Sequence, residues 1–277
     1  MKRLSSERLR RLYLRYALRA DGAACTERVN RLCRFTGSTQ RYGFDEELGL
    51  YYYSYQGRDR RTHYSNKQRA MLYTRNDAPR YERLGKAYLL DRVDFADGDR
   101  IIDCGANIGE VYQWFEARDL AVDYMAFEPS PQDFKALQAN CPEAQCVNAG
   151  LWYEASTLEF YVANASADSS FIEPESFESK VSVPAVRLDG YIDGPVKLLK
   201  LEAEGAEPEV LQGLGDKLSM VEWVTADVGF ERGMSADSTM PQVATHLIQN
   251  GFEMVHFAKG RPIALFRNLR ETSKQQA

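Results

Sequence analysis

Apolar residues recur at helical spacing near the start of the chain, where they stand among arginines. Leu9, Leu12 and Tyr16 are three or four residues apart, and this period predicts an amphipathic helix over residues 4–20. A shorter helix is predicted over residues 27–35. The two helices would begin an N-terminal appendage.

Tyrosine dominates the segment that follows these helices. Nine tyrosines fall between residues 42 and 88, and residues 50–55 have the composition of a strand. Tyrosine offers a flat apolar face and a hydroxyl, which suits stacking on a sugar or an aromatic substrate as well as ordinary packing. We therefore predict a helical and tyrosine-rich appendage over residues 1–90 that binds the acceptor or mediates oligomerisation, with packing onto the main domain as the alternative.

From about residue 98 onward, short apolar runs alternate with segments of helical period. The predicted strands cover residues 100–103, 122–127, 144–148, 158–162, 181–186, 196–201, 221–227, 252–257 and 262–266. The predicted helices cover residues 108–117, 131–139, 206–211 and 240–250. Strands that alternate with helices indicate a mostly parallel sheet with helices on both faces, and the last two strands would close it as an antiparallel pair. The sequence thus predicts an α/β domain over residues 91–270 and a C-terminal tail over residues 271–277.

Composition narrows the class of protein. Hydrophobic residues make up 44% of the chain and charged residues 27%, which is typical of a globular protein and argues against disorder. No run approaches the roughly 18 apolar residues of a membrane-spanning helix, and the start of the chain lacks the apolar core of a signal peptide. The five cysteines have no paired short spacings, which favours reduced thiols over a metal site or disulfides. We therefore predict a cytoplasmic protein without a membrane span.

Charge is distributed unevenly along the chain. Residues 1–41 hold 11 Lys and Arg against three Asp and Glu, whereas the remainder holds 24 against 37. The basic segment could bind phosphates, anionic lipid or an acidic partner, or it could pack on the acidic body. Because the body is acidic, we do not expect a nucleic acid as partner.

Residues with binding chemistry cluster where the first two strands of the α/β domain end. Asp103 closes the first strand, and Gly105, Asn107 and Gly109 form a tight turn before the next helix. In sheets of this type the ligand lies beyond the carboxyl ends of the strands. Glu128 ends the second strand, where a carboxylate can accept two hydrogen bonds from a ribose diol. The two features together predict a nucleoside-bearing cofactor.

The spacing of the glycines indicates which nucleoside is bound. The Gly-x-Gly-x-x-Gly pattern, which holds the pyrophosphate of a dinucleotide at a helix start, is missing. Asp103 would repel a pyrophosphate, but it suits a cofactor that carries an ammonium and a sulfonium. We therefore predict S-adenosylmethionine (SAM).

Four segments together are similar to the FkbM-type SAM-dependent methyltransferases. The segments are DCGANIG at 103–109, Phe127-Glu128-Pro129, Leu158-Glu159-Phe160 and LKLEAEGAE at 199–207. The resemblance spans roughly residues 98–268 and implies a Rossmann-like class I methyltransferase fold with a mostly parallel seven-stranded sheet. Glu202 stands where the family usually has aspartate.

The resemblance also implies a set of cofactor contacts. The methionine end would be lined by Asp103, Gly105, Ala106, Asn107 and Gly109. The ribose would be held by Glu128, next to Pro129, and the adenine would be flanked by Asn148, Ala149 and Gly150. Cys104 would pack inside the motif.

Several acids are candidates for the catalytic step. Glu202 and Glu204 follow the fourth strand, and alternation along that strand would place them on one side, where either could take a hydroxyl proton. Capping of the following helix is the alternative role. Asp227 ends the fifth strand and could join them in holding a divalent cation, although a metal-free route is preferred. His63, in the tyrosine-rich segment, could reach the cleft as a base or substrate contact.

These observations predict a SAM-dependent methyltransferase that acts on a hydroxyl of a sugar, glycan or secondary metabolite. One alternative is N-methylation of an amide or amine in a peptide or natural product. Another is a non-catalytic binding module that keeps the SAM fold. The expected partner is a small-molecule or glycan acceptor, and a homo-oligomer could form through the N-terminal helices.

Overall fold

The computed structural model describes residues 2–55, 60–70, 79–162, 169–258 and 260–272, with side chains from residue 7 to residue 270 within these ranges. The chain folds as two compact units, the first ending at Arg80 and the second beginning at Tyr81. Tyr73 and residues 273–277 of the predicted C-terminal tail lie outside the described residues.

The first unit contains two helices and a small sheet. Its elements are α1 (Lys2–Ala17), α2 (Gly22–Thr36), β1 (Gln40–Asp45), β2 (Leu50–Tyr55), β3 (Arg61–Tyr64) and a 3₁₀ turn (Lys67–Arg69). The strands form an antiparallel sheet in the order β1-β2-β3. Both predicted helices and the predicted strand β2 are present, but β1 and β3 were not predicted because their sequences are short and polar. They become strands by pairing with β2.

Buried aromatic rings fill the core of this unit. Tyr42, Tyr51, Tyr53 and Tyr64 are all buried, and the rings of Tyr51 and Tyr64 stack at a centroid distance of 5.8 Å. Tyrosine suits this position because its ring packs while its hydroxyl finds a hydrogen-bond partner. Packing within the unit therefore accounts for four of the tyrosines in the tyrosine-rich segment.

The second unit alternates strands and helices. Its helices are α3 (Arg80–Ala87), α4 (Glu110–Glu116), α5 (Pro131–Asn140), α6 (Glu207–Leu214), α7 (Met240–Gln249) and α8 (Leu269–Thr272). Its strands are β4 (Arg100–Cys104), β5 (Asp123–Phe127), β6 (Gln145–Val147), β7 (Gly150–Leu151), β8 (Ser156–Val162), β9 (Ser179–Val186), β10 (Val196–Leu201), β11 (Val221–Asp227), β12 (Phe252–Phe257) and β13 (Ile263–Asn268). Short 3₁₀ turns lie at Leu90–Arg92, Leu188–Tyr191 and Gly215–Met220.

Seven of these strands form the main sheet, in the order β12-β13-β11-β10-β4-β5-β6. The five strands from β11 to β6 are parallel, and β13 pairs antiparallel with both β11 and β12. The predicted fold is confirmed, including the closing antiparallel pair. Strand order reverses between β4 and β10, so the switch point of the sheet lies between the carboxyl ends of these two strands.

Two apolar cores lie on the two faces of this sheet. Ile102 and Leu199 pack with α6 and α7 on one face, and Ile101 and Leu198 pack with α4 on the other. Alternation along the strands produces this division, because successive side chains point to opposite faces.

A separate three-stranded sheet forms in the order β7-β9-β8. The strands predicted at 158–162 and 181–186 are present as parts of β8 and β9, and they lie in this sheet and not in the main one. They pair with each other in antiparallel register. Strand period alone cannot say which sheet a strand joins.

Candidate active site

The turn after β4 lies at the switch point of the sheet. Gly105, Asn107 and Gly109 have φ angles of 72°, 54° and 83°, which glycine adopts freely and asparagine tolerates better than most residues. A Cβ on Gly105 would lie 2.1 Å from the carbonyl oxygen of Glu202, so glycine is needed there for close approach as well as for conformation. Gly105 and Asn107 are both partly exposed at this edge.

The carboxylate of Glu128 ties this turn to the end of β5. Its Oε2 accepts a hydrogen bond of 2.7 Å from the Asn107 N–H, and its Oε1 accepts one of 2.8 Å from the Ser130 N–H. The amide of Asn148 donates to the carbonyls of Glu128 (2.8 Å) and Pro129 (3.2 Å). The structure therefore brings together the predicted turn, the predicted ribose acid and the predicted adenine segment.

A buried ion pair joins β4 to β10 beneath the turn. Asp103 and Lys200 are register partners on neighbouring parallel strands, both are buried, and Lys200 Nζ lies 3.0 Å from Asp103 Oδ1. The Lys200 ammonium also donates to the carbonyls of Cys104 (3.0 Å) and Gly105 (2.7 Å). The Tyr124 hydroxyl donates to the second oxygen of Asp103. Lys200 therefore holds the turn through its backbone as well as the acid that precedes it.

The charged cluster continues from Lys200 across the ends of β10 and β11. Lys200 Nζ is 3.0 Å from Glu202 Oε2, and Arg261 donates to Glu202 and, at 2.6 Å, to Asp227. The Tyr88 hydroxyl donates to Glu202, and its ring centroid lies 5.1 Å from Lys200 Nζ and 5.2 Å from Arg261 Cζ. Two cations and one tyrosine thus surround the carboxylate of Glu202.

These neighbours and the burial of the site shift the pKa values of the acids in different directions. Burial alone would raise the pKa of Glu202, but the charges of Lys200 and Arg261 outweigh it and lower that pKa to about 2. Burial raises the pKa of Asp227, with Arg261 opposing it, and raises the pKa of Asp103, with Lys200 opposing it. A general base works best when its pKa lies near the working pH, so Asp227 is better suited to that role than Glu202.

The segment after β10 turns sharply and ends the strand alternation. β10 stops at Leu201, and Glu204 has a φ of 49°. The argument that alternation places Glu202 and Glu204 on one side is therefore wrong. Glu207, the first residue of α6, holds this turn: its Oε1 accepts hydrogen bonds from the N–H groups of Ala203 (2.7 Å) and Gly205 (3.2 Å).

The remaining predicted residues have varied surroundings. Ala106 and Ala149 are buried, and Gly150 opens β7, where a Cβ would lie 2.0 Å from the ring of Phe171. Packing therefore explains the glycine at position 150. His63 belongs to β3 of the first unit, where its Nε2 lies 3.9 Å from an oxygen of Asp45.

Three members of the charged cluster were missed at the sequence level. Lys200 carried a usable signal, because a lysine between two leucines in a strand that is covered on both faces must be paired. Tyr88 was grouped with the tyrosines of the appendage, although it belongs to the second unit. Arg261 lies in the connection between β12 and β13, and nothing in its sequence surroundings indicates contact with Glu202.

The acids at this edge of the sheet are the predicted candidates for a metal site. Within the part of the chain that the structure describes, no group of three or more His, Cys, Asp or Glu is arranged to hold a metal ion. The carboxylates of Glu202 and Asp227 have Arg261 as their shared cation.

Comparisons with known proteins identify the family of this chain. The family model described as Methyltransferase FkbM domain matches residues 103–254. The protein Methyltransferase 1 of Beauveria bassiana (strain ARSEF 2860) is 28% identical over 156 residues, which are 46% of this chain and 63% of that protein. The match thus spans less than two thirds of the length of this curated relative.

Solved structures are similar at lower identity. Methyltransferase FkbM from Methylobacillus flagellatus KT is 16% identical with a TM-score of 0.45, and the match covers 63% of this chain and 44% of that one. The ribosomal protein L11 methylase from Lactobacillus delbrueckii subsp. bulgaricus is 11% identical with a TM-score of 0.40, and the match covers 70% and 80% of the two chains. The family model itself covers more than half of this sequence, and the chain belongs to the family of methyltransferase FkbM domains.

Proposed function

We propose that this protein transfers the methyl group of SAM to a hydroxyl of a sugar, glycan or secondary metabolite. The observation that carries the proposal is the bond between the Glu128 carboxylate and the Asn107 N–H at the switch point. This hydrogen bond joins the glycine turn to the acid at the end of the next strand. A cofactor that combines a nucleoside with a charged amino-acid part requires both features at the switch point.

The residues present fit SAM better than a dinucleotide. Gly105 and Asn107 bring backbone to the surface in left-handed conformations, which permits close approach of a ligand. The carboxylate of Glu128 beside this turn opposes a pyrophosphate and favours a cofactor with positive charge. Asp103, which was expected to do the same, is buried and paired with Lys200. In the proposal, Glu128 holds the ribose and the turn lines the methionine end. When bound, SAM supplies an electrophilic methyl group for in-line displacement.

The protein's own contribution to the reaction would be orientation and proton removal. We assign proton removal from the acceptor hydroxyl to Asp227, because burial raises its pKa and it ends β11 at the same edge. Glu202 would instead hold Arg261 and, through it, the position of Asp227. No divalent cation is needed in this scheme, since Lys200 and Arg261 neutralise the acids.

The direct test is transfer of a labelled methyl group. The full chain is incubated with methyl-labelled SAM and panels of glycans and secondary metabolites, with and without EDTA, and products are separated by mass spectrometry. The proposal expects label in methyl ethers and no effect of EDTA. Label on nitrogen would favour N-methylation, loss of transfer with EDTA would restore the metal route, and SAM binding without transfer to any panel would favour a binding module.

A further inference from the structure

The outer side of α1 carries an apolar stripe that its packing does not use. Leu14 and Ala17 are buried, whereas Leu9, Leu12 and Tyr16 expose 66%, 53% and 49% of their surface. Residues three and four positions apart lie on one side of a helix, so the three exposed residues form a continuous stripe. The predicted helix therefore packs through Leu14 and Ala17 and leaves the predicted apolar positions Leu9, Leu12 and Tyr16 exposed.

Arginines run alongside this stripe. Arg8, Arg11 and Arg15 are all exposed and each precedes, by one position, a residue of the apolar stripe. Glu7 is the one acid among residues 7–17, and it pairs with Arg11 at 2.9 Å. The exposed side of α1 is thus apolar along one line and cationic along the next.

A second helix adds to the positive charge near the end of the stripe. The guanidinium of Arg28, in α2, lies over the ring of Tyr16 at 4.7 Å from its centroid. Basic residues are concentrated in this part of the chain, since residues 1–41 hold 11 Lys and Arg against three acids while the remainder is acidic. The excess of positive charge is therefore concentrated in the first 41 residues.

We propose that α1 docks the protein on an anionic lipid surface. A helix with an apolar stripe bordered by arginines is suited to lie in a membrane interface, with its leucines among the acyl chains and its arginines at the headgroup phosphates. An uncharged protein groove would match Leu9 and Leu12 but offer no anion to Arg8 and Arg15, whereas an anionic interface matches both the apolar and the cationic line. The inference does not depend on methyl transfer. It adds no spanning segment, since no described helix is long and apolar enough to cross a bilayer.

Flotation of the full chain with lipid vesicles tests the proposal. Vesicles of phosphatidylcholine with about 30% phosphatidylserine should carry the protein, and pure phosphatidylcholine vesicles should not. Binding should weaken at about 0.5 M NaCl because salt screens the arginines. Failure to float with the anionic vesicles would overturn the proposal.

Matched variants locate the binding surface. Leu9→Ser/Leu12→Ser should reduce partitioning about tenfold or more, since it removes the inserted side chains. Met254→Ser/Val255→Ser is the control, because these residues are also exposed apolar side chains, 37% and 45% exposed, on the edge strand β12. Equal binding by the two double variants would contradict the assignment to α1.

A charge variant keeps the test valid if the leucine variant is poorly folded. Arg8→Gln/Arg15→Gln should weaken binding about fivefold for each arginine and leave the melting curve unchanged. Unaltered binding by this folded variant would contradict the proposal. Light scattering supplies the last comparison: a dimer that Leu9→Ser/Leu12→Ser converts to a monomer would show that a second copy covers the stripe, and the lipid assignment would then be wrong.

Discussion

Replacement of Lys200 by methionine is the most demanding test of the buried charge cluster. Methionine retains the apolar length of the side chain but removes the ammonium that contacts Asp103, Glu202 and the carbonyl of Gly105. Loss of one partner from a buried ion pair leaves an uncompensated charge, and the usual cost is about 3–5 kcal/mol. For a unit of this size each kcal/mol lowers the Tm by about 2–4 °C, so the expected loss is roughly 6–20 °C.

The pH dependence of the loss separates electrostatics from packing. Without Lys200, the pKa of buried Asp103 should rise further above its unfolded value, because the charge that lowers it is gone. The variant's native state would then gain a proton as pH falls, and its deficit in stability relative to the parent should shrink as the pH is lowered. Asp103→Asn combined with Lys200→Met should recover part of the stability, since no carboxylate is left unpaired beneath the turn.

Urea unfolding of parent, single and double variants at pH 5 and pH 8 measures these quantities. Lys200→Arg is the matched control, because it keeps the charge and should lose less stability than Lys200→Met. A loss below about 1 kcal/mol for Lys200→Met, or a deficit that is the same at both pH values, would refute the reasoning.

Three further predictions concern the turn, a buried acid and the proton acceptor. Gly105→Ala and Gly98→Ala both place alanine at positive φ, at a cost of about 1–2 kcal/mol. Only at position 105 would the added Cβ also meet backbone, so urea unfolding should show the greater loss of stability for Gly105→Ala. Equal losses for the two variants would contradict this reasoning. Burial raises the pKa of Glu207 from 4.5 to about 7. The free energy of unfolding should therefore fall as pH rises through that window, and Glu207→Gln should remove about 3 kcal/mol of this fall. Urea midpoints of the parent and the variant that change with pH in parallel would count against this prediction. Asp227→Asn should lower kcat about 100-fold or more with little change in the KM for SAM. Glu202→Gln should leave the acidic limb of the kcat–pH profile in place, and its disappearance would instead make Glu202 the base.

The main sheet could be predicted because its strands are short apolar runs between clear breaks. The bounds of β10 and β11 agree with the predicted ranges 196–201 and 221–227 to the residue. Both strands lie inside the sheet and are covered on both faces, and eight of their 13 residues are apolar. β1 and β3 lacked that signal because each owes its conformation to pairing with β2.

The candidate site could be predicted only in part. Gly105 and Glu128 follow adjacent parallel strands, and topology alone brings such positions to one edge. The cluster around Glu202 depends on Arg261, which is 59 positions away in sequence and arrives through the connection between β12 and β13. Side-chain pairing across that distance is a tertiary property, and a sequence pattern does not encode it locally. Lys200 is intermediate, since its strand position predicts burial but not its partners.

Binding of S-adenosylhomocysteine tests the central claim most directly, because it needs no acceptor. Calorimetry on the full chain should show one site, with affinity reduced about tenfold or more in Glu128→Gln, which keeps an acceptor oxygen for the Asn107 N–H but loses the charge. Glu143→Ala, at an exposed glutamate in the same unit, is the control and should bind like the parent. A folded parent protein that shows no binding, or Glu128→Gln with unchanged affinity, would contradict the assignment of this turn to SAM.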